Sequence, residues 1–222
     1  MITLEQVRKT YSMGDTEVEA LKDSNVDIEE GEFVAVMGPS GSGKSTLMNM
    51  IGALDTPTDG EVFIDEEAIS GLSEDELALL RSKNIGFIFQ QFNLIPSMNA
   101  TENVALPMLF RGKSKKERTE RAEEILEKVG LGERLHHMPS ELSGGQRQRV
   151  SIARSLANDP EIILADEPTG NLDTETGENI MELLTELNDE GKTIIMVTHD
   201  ENDAEYADRI IKIVDGKTGV EE

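Results

Sequence analysis

The stretch Gly38-Pro39-Ser40-Gly41-Ser42-Gly43-Lys44-Ser45 constrains this chain more than any other, because it joins an apolar run, Phe33 to Met37, to an apolar-rich segment from Thr46 to Leu54. A glycine, four residues and then Gly-Lys-Ser, set between a strand and a helix, is the spacing of a phosphate-binding loop. Glycines let the backbone wrap closely enough for its N–H groups to face phosphate oxygens, and the N-terminus of the following helix adds a favourable dipole. In such a loop Lys44 neutralises β- and γ-phosphate charge, and the Ser45 hydroxyl ligates Mg²⁺. Further short apolar runs, Ile85 to Phe89, Ile162 to Ala165, Thr193 to Val197 and Arg209 to Val214, read as buried strands. Their alternation with helical patterns predicts an α/β fold with a mostly parallel core sheet covered by helices.

Two segments depart from that pattern. Ile2 to Arg8 and Val18 to Ile28, together with Glu61 to Ile64, alternate apolar and polar side chains as an antiparallel sheet with one wet face does. Between Asn99 and Leu142 the pattern is helical: Lys113 to Arg121 is strongly charged, and Ala122, Ile125, Leu126 and Val129 recur at helical spacing. The expectation is a single domain over residues 1–222, with a β lobe at about 1–30 and 58–70, an inserted helical lobe at about 99–142, and the core in the remainder. The expected fold class is therefore that of a P-loop NTPase carrying an antiparallel β lobe and a helical insertion.

Composition narrows the function. With 21 basic and 45 acidic side chains among 222 residues, the formal charge of −24 argues against nucleic acid or anionic lipid as a partner gripped by charge. The acidity fits either a high-salt cytoplasm or a merely acidic protein. The absence of cysteine excludes disulfides, thiolate zinc sites and thiol nucleophiles, and agrees with a reducing interior. No run approaches eighteen apolar residues, and Met1-Ile2-Thr3-Leu4-Glu5-Gln6 lacks the basic-then-apolar pattern of a signal peptide. If the chain powers transport, another polypeptide must supply the pathway.

Two more segments carry chemistry. Ile162-Ile163-Leu164-Ala165 runs straight into Asp166-Glu167, so a buried strand delivers two carboxylates to its C-terminal edge, where α/β sheets bind ligands. Beside a phosphate loop, Asp166 is placed to hold magnesium and Glu167 to polarise the water attacking a γ-phosphate. Leu142-Ser143-Gly144-Gly145-Gln146 opens a helix, with Ser143 as N-cap and glycines exposing N–H groups, which makes a second anion-binding helix start or an ordinary capped helix.

Taken in order, the phosphate loop, LSGGQ and IILADEP resemble the ABC (ATP-binding cassette) ATPase family, over nearly the whole chain. The resemblance implies that Gly38, Ser40, Gly41, Ser42, Gly43, Lys44, Ser45 and Thr46 hold ATP, that Tyr11 stacks on adenine, and that Gln90 is the Q-loop glutamine, a ligand to Mg²⁺ in contact with the attacking water. It further implies that Asp173 of Asn171-Leu172-Asp173 fixes the opposing subunit, and that His199 contacts the γ-phosphate and holds the water and Glu167 in line. Taken alone, Tyr11 is as consistent with packing, Gln90 with a solvated loop and His199 with a structural histidine; His136 and His137 match no family element and read as surface. Arg147 stands where the family often has glutamine, a tolerated departure.

The family mechanism implies a head-to-tail homodimer, in which Ser143, Gly144, Gly145 and Gln146 of one copy close over ATP held by the other, and an integral-membrane permease docked from the cytoplasmic face. Gly52 to Gly60, Gln90 to Pro96 and Glu102 to Pro107 look most like the lipoprotein-releasing and macrolide-exporting branch, with the cell-division type close by. The alternative is a soluble relative acting on ribosomes or DNA ends, but such relatives usually carry a second cassette or a long coiled coil, and neither appears here. A binding module without turnover would have lost a catalytic side chain, whereas Glu167 and His199 are both in place.

Overall fold

The computed structural model describes residues 1–14 and 16–221. The elements in chain order are β1 (Ile2–Met13), β2 (Thr16–Ile28), β3 (Phe33–Met37), α1 (Lys44–Ile51), β4 (Asp59–Ile64), β5 (Glu67–Ala68), α2 (Glu74–Asn84), β6 (Ile85–Phe89), α3 (Ala100–Phe110), α4 (Lys115–Lys128), α5 (Gly144–Ser155), β7 (Ile162–Asp166), α6 (Thr174–Asp189), β8 (Thr193–Val197), α7 (Glu201–Ala204), β9 (Arg209–Val214) and β10 (Lys217–Glu221). They fall into two compact units, residues 1–81 with 191–222, and residues 82–190.

In the first unit β1 lies between β2 and β4, antiparallel to both, with Ile2 opposite Ile28 on one side and Ile64 on the other. Strands β1 and β2 both run further than the apolar alternation predicts, β1 to Met13 and β2 from Thr16. The reason is local: Gln6 (φ 50) and Asp23 (φ 51) take left-handed conformations at register shifts, so the alternation breaks while the ladder continues through Lys9 opposite Leu21 and Tyr11 opposite Val18. The Asn25 side-chain oxygen accepts the Gln6 amide at 2.9 Å and closes that irregularity. Behind the phosphate loop, β3 runs parallel to β8 and β9, and its first four residues are buried. The hairpin β9–β10 turns at Asp215 (φ 51) and Gly216 (φ 79), the signature of a two-residue turn whose twist matches the strands.

In the second unit β6 and β7 pair in parallel, Ile85 opposite Ile162 and Phe89 opposite Asp166, so β7 extends to include Asp166. Helices α3, α4 and α5 each start on a reciprocal capping box, from Asn99 with Glu102, Ser114 with Glu117, and Ser143 with Gln146. The helical segment expected between Asn99 and Leu142 thus contains α3 and α4. Helix α4 buries Ala122, Ile125 and Leu126 on one face, as its spacing predicts, and turns its charges outward. Asn103, which is 1 % exposed, ties down the preceding loop: its oxygen accepts Ile95 N, and its amide donates to Ile95 O, Met98 O and Asn99 O. Among the described residues no helix is long and apolar enough to cross a membrane.

Candidate nucleotide site

The first unit holds the phosphate loop. Gly43, at φ 109, occupies the N-cap of α1, so the helix begins at Lys44 rather than Thr46. The loop is seated against backbone on two sides: a Cβ on Gly38 would lie 2.1 Å from the Ile213 carbonyl oxygen, and one on Gly43 would lie 2.6 Å from that of Ala20. Only residues without side chains permit that approach, which leaves the loop amides in a fixed cradle. The Ser42 carbonyl accepts Gly216 N at 2.8 Å, which ties the cradle to the β9–β10 turn. Inside the loop the Ser42 hydroxyl is buried without a hydrogen-bond partner, a polar group left over by the protein's own bonding. Lys44 Nζ donates to Gly38 O at 2.6 Å and Pro39 O at 3.0 Å, so the ammonium lies folded along the loop. Ser40 and Ser45 are exposed and Thr46 half-buried.

Tyr11 is half-buried, and its hydroxyl donates to Asp55 Oδ2 at 3.1 Å. His199, separated from the end of β8 by Thr198, is exposed, and Asp200 beside it caps the short α7 by accepting Asn202 N at 2.8 Å.

The second unit gathers the remaining groups. The register that sets Phe89 opposite Asp166 brings Gln90 and the Asp166-Glu167 pair to the same end of the β6–β7 ribbon. Glu167 has φ 45, a left-handed conformation that costs a non-glycine residue about 1–3 kcal/mol and clusters at functional positions. Asn171 Nδ2 donates to Gln90 O at 2.7 Å, and Gly170 leaves room for the Gln90 amide, since a Cβ there would lie 2.7 Å from Gln90 Nε2. Asp173 is the N-cap of α6, accepting Thr176 N at 3.0 Å and Thr176 Oγ1 at 2.8 Å; these bonds, the backbone one foremost, hold its carboxyl below the usual range. Ser143 is exposed and caps α5 through Gln146 N, as expected, and a Cβ on Gly145 would meet Thr176 Cγ2 at 2.4 Å. His136 is exposed, and the ring of His137 bonds Arg134.

Three residues to which the sequence assigned no role hold these loops in place. Gln148, fully buried in α5, donates to the Pro168 carbonyl at 2.6 Å, next to Glu167. Arg154, further along the same helix, donates to Asn93 O at 2.6 Å and Phe92 O at 2.9 Å, and Arg147 lies over the Phe92 ring at 5.2 Å. The only sequence signal for them is helical phase: positions 147, 148 and 154 lie within two turns of a helix whose start is fixed by Ser143. Burial pushes the Arg154 guanidinium below its usual value, and the two carbonyls compensate the cation. Arg154→Met is expected to cost about 2–3 kcal/mol, because it leaves both carbonyls without their charged donor. Urea unfolding monitored by circular dichroism measures this, and an unchanged midpoint would show the contacts to be dispensable.

By donor chemistry, the Ser45 hydroxyl in the first unit, and the Asp166 carboxylate and Gln90 amide oxygen in the second, are each hard oxygen ligands of the kind Mg²⁺ takes rather than ligands for a soft metal. The glycine cradle and the unpartnered Ser42 hydroxyl fit a polyphosphate.

Comparison with known proteins agrees with this chemistry. The family described as ABC transporter matches residues 21–170. The ABC transporter ATP-binding protein YknY of Bacillus subtilis (strain 168) is 56% identical over 97% of this chain and 94% of its own length. The macrolide export ATP-binding/permease protein MacB of Bdellovibrio bacteriovorus is 52% identical over 97% of this chain, which spans 33% of that protein. The solved dimeric post-hydrolysis state of the ATP-binding cassette MJ0796, bound to ADP and Pi, superposes with a TM-score of 0.91 at 53% identity, covering 100% of this chain and 98% of the other.

Proposed function

The chain belongs to the ABC transporter family, and from that premise we propose that its residues 1–222 work as one cassette, two copies of which share ATP between them and drive a separate membrane permease. Its fold is the mixed α/β fold of an ABC ATPase, and it is an ATP-binding subunit with ATPase activity. One observation carries the shared-site reading: a single chain presents two anion-binding helix starts, the cradle at α1 and the exposed Ser143 at α5.

In this mechanism the loop amides and Lys44 bind the phosphates of ATP, and Tyr11 supports the base. Ser45, Gln90 and Asp166 would hold Mg²⁺, which when bound would supply positive charge against the phosphate oxygens. Glu167 polarises the attacking water, and His199 orients it. Ser143 to Gln146 of a second copy cover the γ-phosphate, and Asp173 secures that copy. Loss of the γ-phosphate contacts then loosens the pair. Dimeric solved relatives support the pairing. The likeness to proteins named as macrolide export ATP-binding/permease proteins supports a permease partner; in this reading the chain sits at the cytoplasmic face through that permease and works in lipoprotein release, macrolide-type export or force transmission across the membrane.

If neither copy completes a site alone, activity per chain must rise with protein concentration below the dimer dissociation constant. The expected profile of steady-state phosphate release against enzyme concentration is therefore steeper than linear. A strictly proportional profile down to nanomolar enzyme would overturn the shared-site reading while leaving the ATPase assignment intact.

A further inference from the structure

Tyr11 is not simply an aromatic ring on a strand, because its far end is tied down. The Tyr11 hydroxyl donates to Asp55 Oδ2 at 3.1 Å, while the other oxygen of the same carboxylate accepts Lys9 Nζ at 2.6 Å and Thr56 N at 2.8 Å. Lys9 Nζ also donates to Thr56 O at 2.8 Å and lies 5.1 Å from the Tyr11 ring centroid, within cation–π range. Asp55 follows α1 and Tyr11 lies in β1, so the contact closes across 44 residues between the end of the phosphate-loop helix and the antiparallel sheet of β1, β2 and β4.

We propose that Asp55 is a positioning residue for nucleotide binding: it fixes the plane of the Tyr11 ring through the phenolic hydroxyl, and Lys9 balances its charge. The proposal rests on the reading of Tyr11 as the base platform.

Three physical points support it. An aromatic side chain held only at Cα sweeps an arc about its first two side-chain torsions, and capturing a base on it costs that freedom; a second anchor at the hydroxyl removes the cost beforehand. Asp55 suits the task because it stays ionised: burial pushes its carboxyl up, but the Lys9 ammonium, the Thr56 amide and the Tyr11 hydroxyl outweigh burial and hold it below its ordinary value. The phenol shifts the other way, raised by burial first and by Asp55 second, so it stays protonated and donating. Finally, an uncompensated carboxylate would add a negative field to a chain that binds a polyphosphate. The Lys9 side chain, only 12% exposed, pairs with it and cancels that field.

A double-mutant cycle tests the tether, with the affinity for Mg²⁺-ATP measured by calorimetry. Tyr11→Ala, which removes the platform, is expected to weaken ATP binding about tenfold, within the range for a base stacked on an aromatic ring. Tyr11→Phe and Asp55→Ala, which leave the ring and remove the tether, are each expected to weaken it about three- to fivefold, the range of one ordinary net hydrogen bond, since the tether acts on the base only through the ring. Because Asp55 acts through Tyr11, the Tyr11→Ala, Asp55→Ala double variant is expected to bind no worse than Tyr11→Ala alone. Tyr11→Phe deletes one oxygen and keeps the fold, so the tether remains testable if Asp55→Ala is unstable. If Tyr11→Ala weakens binding and Tyr11→Phe does not, the tether is wrong and the platform stands. Unchanged binding in Tyr11→Ala removes the platform and the proposal with it. Additive losses in the double variant would mean that Asp55 acts on the site by another route, which also overturns the proposal.

Discussion

A Glu167→Gln chain is expected to bind Mg²⁺-ATP as the unaltered chain does and to hydrolyse it about 10²- to 10⁴-fold more slowly, the contribution typical of a positioned general base. Glutamine keeps the size and the hydrogen-bonding reach of the side chain but cannot take a proton from water. The backbone supports this assignment: Glu167 sits at φ 45 directly after β7, a conformation that would relax in most other residues and is held here by its surroundings, including the Gly170 amide on Glu167 O at 3.1 Å. With turnover blocked, ATP persists, and the mass by light scattering is expected to double from 24.4 kDa with Mg²⁺-ATP and stay single with Mg²⁺-ADP. Each copy carries −24, so raising salt from tens to hundreds of millimolar is expected to tighten the pair by screening their repulsion. A mass that stays single with ATP at every salt, despite measured ATP binding, would refute dimerisation by the isolated chain.

The second large effect is structural. Gly38→Ala is expected to destabilise the protein by more than about 3 kcal/mol and to abolish ATP binding, whereas Gly41→Ala three residues away is expected to cost only about 1 kcal/mol. The difference follows from what a new methyl group would meet. At Gly38 it falls 2.1 Å from the Ile213 carbonyl, which is backbone of a strand paired on both sides, with β3 and β10, and can yield only if β9 moves. At Gly41 (φ 78) it meets nothing within 4 Å, so the cost is conformational alone. For a chain of 222 residues each kcal/mol is worth roughly 2–4 °C, so thermal unfolding should separate the two variants clearly. Equal melting temperatures would mean that the loop is not seated on β9.

These two cases also mark where sequence ceases to be informative. The phosphate loop was legible because glycine spacing and flanking apolar runs are local, but that Gly38 rests on Ile213 O is a contact between positions far apart in the chain. The buried strands β3, β6 and β8 appear at their expected bounds because continuous apolar runs have sharp edges. The ends of β1 and β2 do not, since left-handed Gln6 and Asp23 scramble the alternation without ending the ladder. Strands β5 and β10 escaped notice because they carry few apolar side chains and owe their pairing to tight turns at Asp65-Glu66 and Asp215-Gly216. At the site, Ser143 announced its cap by its own motif, but Gln148 and Arg154 act on carbonyl groups, which every residue has and no sequence pattern marks.

Helix α5 has a consequence beyond capping. Arg149 holds Val129 O, Gln148 holds Pro168 O, and Arg154 holds Phe92 O and Asn93 O, so the loop after Gln90, the end of the α4 segment and the turn beside Glu167 are all bonded to one helical rod. The loop behind Gln90 and the turn at Glu167 are thus both fastened to the helix that Ser143 caps. Their geometry is inherited from that helix, much as the teeth of a key share the angle of its shaft.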